Sequence, residues 1–187
     1  MSASGTLVYA VGGVAPIREE SFVWVDRKGT TQPLTGAAPG AYLGPRLSPD
    51  GQKLAASLRG EGRGPDIWVF DILRGAPTRL TFNGGNNPVW SPDGKRVVFN
   101  QAVNGVNNLH LIDTSGGGKS ERLLTSDVGQ TPMSWSRATN TLAFLQRTKT
   151  GAAAICRCCR WMAIGRRTCS SNRLSCCGTR SSRLTDA

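Results

Sequence analysis

The first 150 residues of this 187-residue chain contain no cysteine and a single histidine, His110. The missing cysteine excludes a disulfide framework or thiol-bound metal there, and one imidazole leaves little for histidine-based catalysis. Charge is sparse as well. Only 19 % of residues are Asp, Glu, Lys or Arg, against 39 % hydrophobic, which is the balance of a globular chain rather than a disordered one. No run of about 18 apolar residues occurs, so no segment reads as a transmembrane helix. The opening Met1-Ser2-Ala3-Ser4-Gly5-Thr6 lacks a basic stretch and an apolar core. It therefore carries no secretory signal and predicts a cytoplasmic location.

The net charge of +11 suggests nucleic acid or an anionic membrane until its distribution is examined. Residues 151–187 hold seven Arg, one Asp and all six Cys. The body before them is mildly basic, with its signs interspersed. No nucleic-acid partner and no membrane segment are expected.

What the body has in quantity is repetition. Ser48-Pro49-Asp50-Gly51 returns as Ser91-Pro92-Asp93-Gly94, and decays to Ser136-Arg137-Ala138-Thr139-Asn140. An apolar run follows each copy: Leu54-Ala55-Ala56, Val97-Val98-Phe99 and Leu142-Ala143-Phe144-Leu145. Gly5-Thr6-Leu7-Val8-Tyr9 is an earlier copy of that run. A second strand keeps phase in Ser21-Phe22-Val23-Trp24-Val25-Asp26, Asp66-Ile67-Trp68-Val69-Phe70-Asp71 and Asn108-Leu109-His110-Leu111-Ile112-Asp113. Pro33-Leu34-Thr35, Arg79-Leu80-Thr81 and Arg122-Leu123-Leu124-Thr125 close each unit.

The chemistry of the unit is readable. Proline presets φ at the first corner of the turn, Asp bonds nearby amides at the second, and Gly accepts the positive φ that re-enters a strand. Short β-rich runs between such turns, at a period of 43–46 residues, predict four-stranded antiparallel blades. The fold expected is all-β, a partial β-propeller of about three to three and a half blades over residues 1–150. Trp24, Trp68, Trp90 and Trp135 fall on strand positions that the repeat shares, and are expected in the core between blades.

These residues resemble the TolB-like, WD40-like propeller repeats. A narrower likeness joins Gly5–Tyr9, Val23–Gly29 and Pro45–Gly51 to the C-terminal propellers of bacterial eukaryotic-like serine/threonine protein kinases. That resemblance implies a sensor or interaction module, and such family propellers are commonly periplasmic or extracytoplasmic. The kinase's Gly-rich loop, His-Arg-Asp loop and Asp-Phe-Gly are absent from this sequence, as is the Gly-x-Ser-x-Gly elbow of prolyl-oligopeptidase-like peptidases.

The segment 151–187 breaks the pattern. Cys156, Cys158, Cys159, Cys169, Cys176 and Cys177 lack a paired C-x₂-C spacing, which argues against zinc or iron–sulfur. Arg without Lys, and without interleaved aromatics beyond Trp161, argues against a nucleic-acid tail. A shifted reading frame accounts for the segment better. Trp161-Met162-Ala163 must be encoded TGG-ATG-GCN, and read two nucleotides on this forces Asp-Gly after a Leu, Met or Val. The segment is thus expected to be irregular and disordered, a frameshifted continuation of the propeller. The last blade would then expose strand edges that invite self-association.

Other signals resolve into structure. Gly116-Gly117-Gly118-Lys119-Ser120 lacks the first glycine of a phosphate loop and falls between strands. Asp50, Asp66, Asp71, Asp93 and Asp113 recur once per blade, as turn and strand-end hydrogen-bonding residues do. His110 stands at the repeat position of Trp68 and is expected to be structural. The sequence therefore offers no catalytic, cofactor or metal residue. It predicts a non-enzymatic module that binds a protein or peptide, alternatively the accessory propeller of a kinase or peptidase. The loops Asn83-Gly84-Gly85-Asn86-Asn87 and Asn100–Gly105 are the places where propeller specificity resides, but Gly and Asn alone name no ligand.

Overall fold

The computed structural model describes residues 7–10, 19–60, 64–116, 118–147, 154–161 and 167–169. It holds four antiparallel meanders and, among the described residues, no helix. The first sheet is β1 (Leu7–Ala10), β2 (Phe22–Val25) and β3 (Thr31–Pro33). The second is β4 (Ala41–Leu47), β5 (Lys53–Arg59), β6 (Pro65–Asp71) and β7 (Pro77–Arg79). The third is β8 (Asn86–Trp90), β9 (Arg96–Val103), β10 (Val106–Asp113) and β11 (Glu121–Arg122). The fourth is β12 (Gln130–Ser136), β13 (Thr141–Arg147), β14 (Ala154–Trp161) and β15 (Arg167–Cys169). β4 lies against β8 and β8 against β12, so the later sheets fan from a common inner edge. Each of these inner strands carries a bulge beside its proline, at Leu43/Arg46, Asn86/Val89 and Pro132/Ser134.

The repeated turns join inner to second strands. Ser48 Oγ donates to Asp50 Oδ1 and accepts Lys53 N–H, while Gln52 N–H binds the same Asp50 oxygen. Ser91, Asp93, Lys95 and Arg96 repeat every one of these bonds. Gly51 (φ +73°) and Gly94 (φ +69°) supply the left-handed corner. In the decayed copy the left-handed residue moves to Asn140 (φ +47°), which also accepts Trp135 Nε1–H. Asn tolerates this region better than other side chains, so the hairpin survives the loss of glycine.

The apolar runs are continuous in β5 and β9 because their sheets are covered on both faces. Leu54 and Ala56 pack with Phe22, Tyr42 and Phe70 against the first sheet. Ala55 points the other way and joins Ile67, Trp90, Val97 and Phe99. Val98, one step along from Phe99, packs with Leu109, Leu123, Leu142 and Phe144. Along β13 only Leu142 and Phe144 are fully buried, the alternation of a sheet covered on one face. The four tryptophans fall into two classes. Trp90 and Trp135 sit on inner strands, Trp24 and Trp68 on third strands. Trp90 is buried and donates Nε1–H to Arg46 O at 2.8 Å, whereas Trp24, Trp68 and Trp135 are half-buried against the clusters.

The segment expected to be irregular contributes two strands. β14 pairs with β13 along its length, and β15 pairs with β14. Strand pairing draws on backbone groups, and an unpaired β13 edge supplies them whatever side chains follow. The remaining residues of 151–187, Cys176 and Cys177 among them, lie outside the described ones.

Candidate functional site

The turn sequences occupy one end of the fan. At the other end, the β7–β8 connection that joins the second sheet to the third meets the β9–β10 hairpin of the third. Between them opens a cleft of about 550 Å³. One wall is Gly64-Pro65-Asp66 with Phe82–Asn86, and the other is Asn100–Ala102 with Asn107.

The cleft is held by a buried acid. Asp66, 6 % exposed, accepts from Thr81 Oγ1–H at 2.9 Å, Gly84 N–H at 3.0 Å and Arg79 Nη2–H. Thr81 Oγ1 accepts Ile67 N–H in turn, and Gly85 N–H bonds Pro65 O at 2.6 Å. These contacts strap the 82–86 connection to the start of β6. A Cβ on Gly85 would lie 2.9 Å from Ile67 Cγ1 and 3.0 Å from Phe99 Cδ2, so only glycine passes between the sheets here. Across the cleft, Asn87 Nδ2–H donates to Asn100 Oδ1 and Gln101 Nε2–H donates to Asn83 O.

Arg79 does a second job. Its guanidinium lies 4.7 Å from the Phe82 ring centroid and 5.9 Å from that of Trp68. Phe82 is thereby contacted from one side while remaining 67 % exposed at the rim. A cation over an aromatic face contributes roughly 0.5–1 kcal/mol at an exposed site.

The third sheet lacks this strap chemistry. Asn108 takes the place of Asp66 and accepts Ser126 N–H. Leu124 takes the place of Thr81, and the Leu109 N–H is met by Gln130 Oε1 reaching from β12. A carboxylate–guanidinium–phenyl arrangement therefore belongs to the second sheet.

The sequence-predicted residues are placed as follows. Asp50, Asp71, Asp93 and Asp113 cap turns and strand ends through backbone N–H bonds. Asp66 alone lines the cleft, with its oxygens occupied. His110, 7 % exposed, faces Phe99 at 5.8 Å between ring centroids. Neither ring nitrogen has a partner among the described residues. Burial, and secondarily the Arg122 charge, hold its pKa below the ordinary value. The register sets Cys159 opposite Cys169. No group of three or more metal-ligating side chains occurs among the described residues, and no helix among them is long and apolar enough to cross a membrane. Sequence reasoning missed the cleft itself. Its signals were Phe82, an exposed loop aromatic directly after Arg79-Leu80-Thr81, and the two Asn/Gly loops taken together.

Four-stranded antiparallel meanders fanned about an inner edge, with loops converging at one end, define a β-propeller. The chain belongs to the TolB β-propeller domain family, whose family model matches residues 16–164. It is 30 % identical over 123 residues to the Tol-Pal system protein TolB of Anaeromyxobacter dehalogenans strain 2CP-C, covering 61 % of this chain and 27 % of that protein. The chain thus spans about a quarter of the length of the curated relatives it matches. Among solved structures it is similar to a TolB described as putative from Agrobacterium tumefaciens, with a TM-score of 0.69, 22 % identity, and coverage of 90 % of this chain and 62 % of that one. TolB from Acinetobacter baumannii gives a TM-score of 0.69 at 20 % identity, over 88 % of this chain and 40 % of that one. The likeness to solved structures shows the fold.

Proposed function

We propose that this chain is a non-catalytic interaction and sensor module, in which the cleft between the second and third sheets takes a ligand and the propeller engages a protein partner. The observation that carries this reading is the cleft. It joins an exposed aromatic ring to a wall of carboxamides, and its one carboxylate is spent on holding the loop. Such a surface binds; among the described residues it offers no nucleophile and no free acid or base. Propellers gather loops from successive blades at their ends, where binding is built by loop variation.

One relative is named as a component of a Tol-Pal system, so the Pal component encoded in the same genome is the first partner to test. Titration calorimetry should show saturable binding that weakens in Phe82→Ser and Gln101→Ala proteins with unchanged melting temperatures. Binding indifferent to both changes would move the partner to another surface. Attachment to a kinase or prolyl-oligopeptidase-like domain is the alternative setting for the same module, and an adjoining frame encoding such a domain would favour it.

A further inference from the structure

We propose that the cleft between the second and third sheets is a binding site for a short neutral oligosaccharide. This rests on reading the cleft as the module's binding site, and adds the chemistry of what enters it.

Five carboxamide residues line the opening: Asn83, Asn86, Asn100, Gln101 and Asn107. A carboxamide presents a donor and an acceptor on one rigid plane. A sugar hydroxyl is likewise donor and acceptor, and neighbouring hydroxyls on a ring present both at a spacing that a planar amide can meet. Phe82 supplies the complementary feature. The face of an aromatic ring is electronegative, so it attracts the polarised C–H groups on the flat side of a pyranose. Arg79 lies over that ring and restricts it in part, which lowers the ordering cost of stacking.

The remaining ligand classes fit less well. Among the described residues Asp66 is the only charged one lining the cleft, and Arg79, Thr81 and Gly84 already occupy its oxygens. Among these residues no free charge is left to select a phosphate, a carboxylate or an ammonium group. An extended peptide gains most from adding to an open strand edge. β6 is paired to β5 and β7, and β9 to β8 and β10, and the edge strand β8 lends the cleft only its first residue, Asn86. A volume of about 550 Å³ lies within the range of small-molecule sites.

The test titrates the purified full chain with maltotriose, cellotriose and chitotriose, followed by calorimetry and ligand-observed NMR. Trigalacturonate serves as a charged control and an uncharged Gly-Ser-Asn peptide as a peptide control. At least one neutral trisaccharide should bind saturably, with an affinity that does not change between low and high salt. Phe82→Ala should weaken it about tenfold, Phe82→Tyr should restore it, and Gln101→Ala should weaken it with the fold intact. No binding by any neutral trisaccharide, or binding that ignores Phe82→Ala, overturns the proposal. If the peptide or the protein partner binds in a Phe82-dependent way and no neutral trisaccharide does, the saccharide assignment falls and the cleft stands as the site. If nothing binds in a Phe82-dependent way, both fall.

Discussion

Asp66 and Arg79 form a bidirectional support: the carboxylate is buried beneath the loop it holds, and the guanidinium that neutralises it also carries Phe82. The pair is asymmetric, with side-chain exposures of 8 % for Asp66 and 29 % for Arg79. The acid is therefore the member whose loss leaves buried donors unmet, namely Thr81 Oγ1–H and Gly84 N–H.

Asp66→Ala should lower stability by about 3 kcal/mol, since hydrogen bonds to a charged group contribute roughly 1.5–3 kcal/mol and orphaned donors add a penalty. In a chain of this size that is a fall of about 6–12 °C in melting temperature. Asp66→Asn should cost less than half as much, because Asn108 holds the corresponding Ser126 N–H in the next sheet. Thermal melts of both variants check this, and equal losses would contradict the role of Asp66 as loop anchor.

Gly85→Ala tests the close approach of the two sheets. The added methyl would meet Ile67, Phe99 and Thr81 within 2.9–3.1 Å, and overpacking of this kind costs about 1–3 kcal/mol. Gly60→Ala is the control, with nothing within 4 Å of its added Cβ. It should change stability by no more than about 0.5 kcal/mol. Denaturant unfolding of the two variants separates a steric effect from a general loss of glycine flexibility.

The blades are legible in the sequence because their chemistry is local. Ser48-Pro49-Asp50-Gly51 closes its own turn with its own hydroxyl, carboxylate and left-handed glycine, so reading the motif is reading the structure. Packing is legible too where strands are covered on both faces, as at Leu54-Ala55-Ala56. The cleft is not legible in this way. Asn83–Asn87 and Asn100–Gly105 are separate in sequence, and each alone is an ordinary turn composition. Only the stacking of two sheets brings them within reach of Gln101 Nε2 and Asn83 O. His110 shows the reverse limit: its strand position was readable, but its unpartnered nitrogens depend on neighbours from other strands.

The codons beneath β14 make a further prediction. By register with the second strand, Ile155 stands where Asp66 and Asn108 stand in the earlier sheets, and Cys156, Cys158 and Cys159 stand where Ile67, Val69 and Phe70 do. Read two nucleotides on, the Ala154-Ile155 junction encodes NAT, and the next positions encode Leu or Met, a variable residue, then Leu, Met or Val, then Leu. That is the pattern of Asp66-Ile67-Trp68-Val69-Phe70. Ala154 should accordingly use a codon ending in G or A, which gives Asp or Asn at the anchor position. A nucleotide sequence with C or T there would break the match at the residue that matters most.

The acid side of the stability curve should have two stages. His110 is buried, and burial first, then the Arg122 charge, disfavour its imidazolium form. The unfolded chain therefore takes up a proton near pH 6.5, before the folded chain does, and stability rises with pH wherever the unfolded state binds more protons. Its contribution is fully present above about pH 6.5 and is lost as the pH falls through the lower folded value. The carboxylates act later. Asp50 is held below its ordinary pKa by the Ser48 hydroxyl and then the Gln52 N–H. At Asp93 burial pushes upward, but the Ser91 hydroxyl and Lys95 N–H together outweigh it. The stability these two contribute is present above the ordinary carboxylate range and disappears as the pH falls through their lowered values. Melting temperature measured from pH 8 downward should thus decline first just below about 6.5 and again below about 4. His110→Leu should remove the first decline and leave the second. A His110→Leu protein that kept the early decline would place its origin elsewhere than in this imidazole.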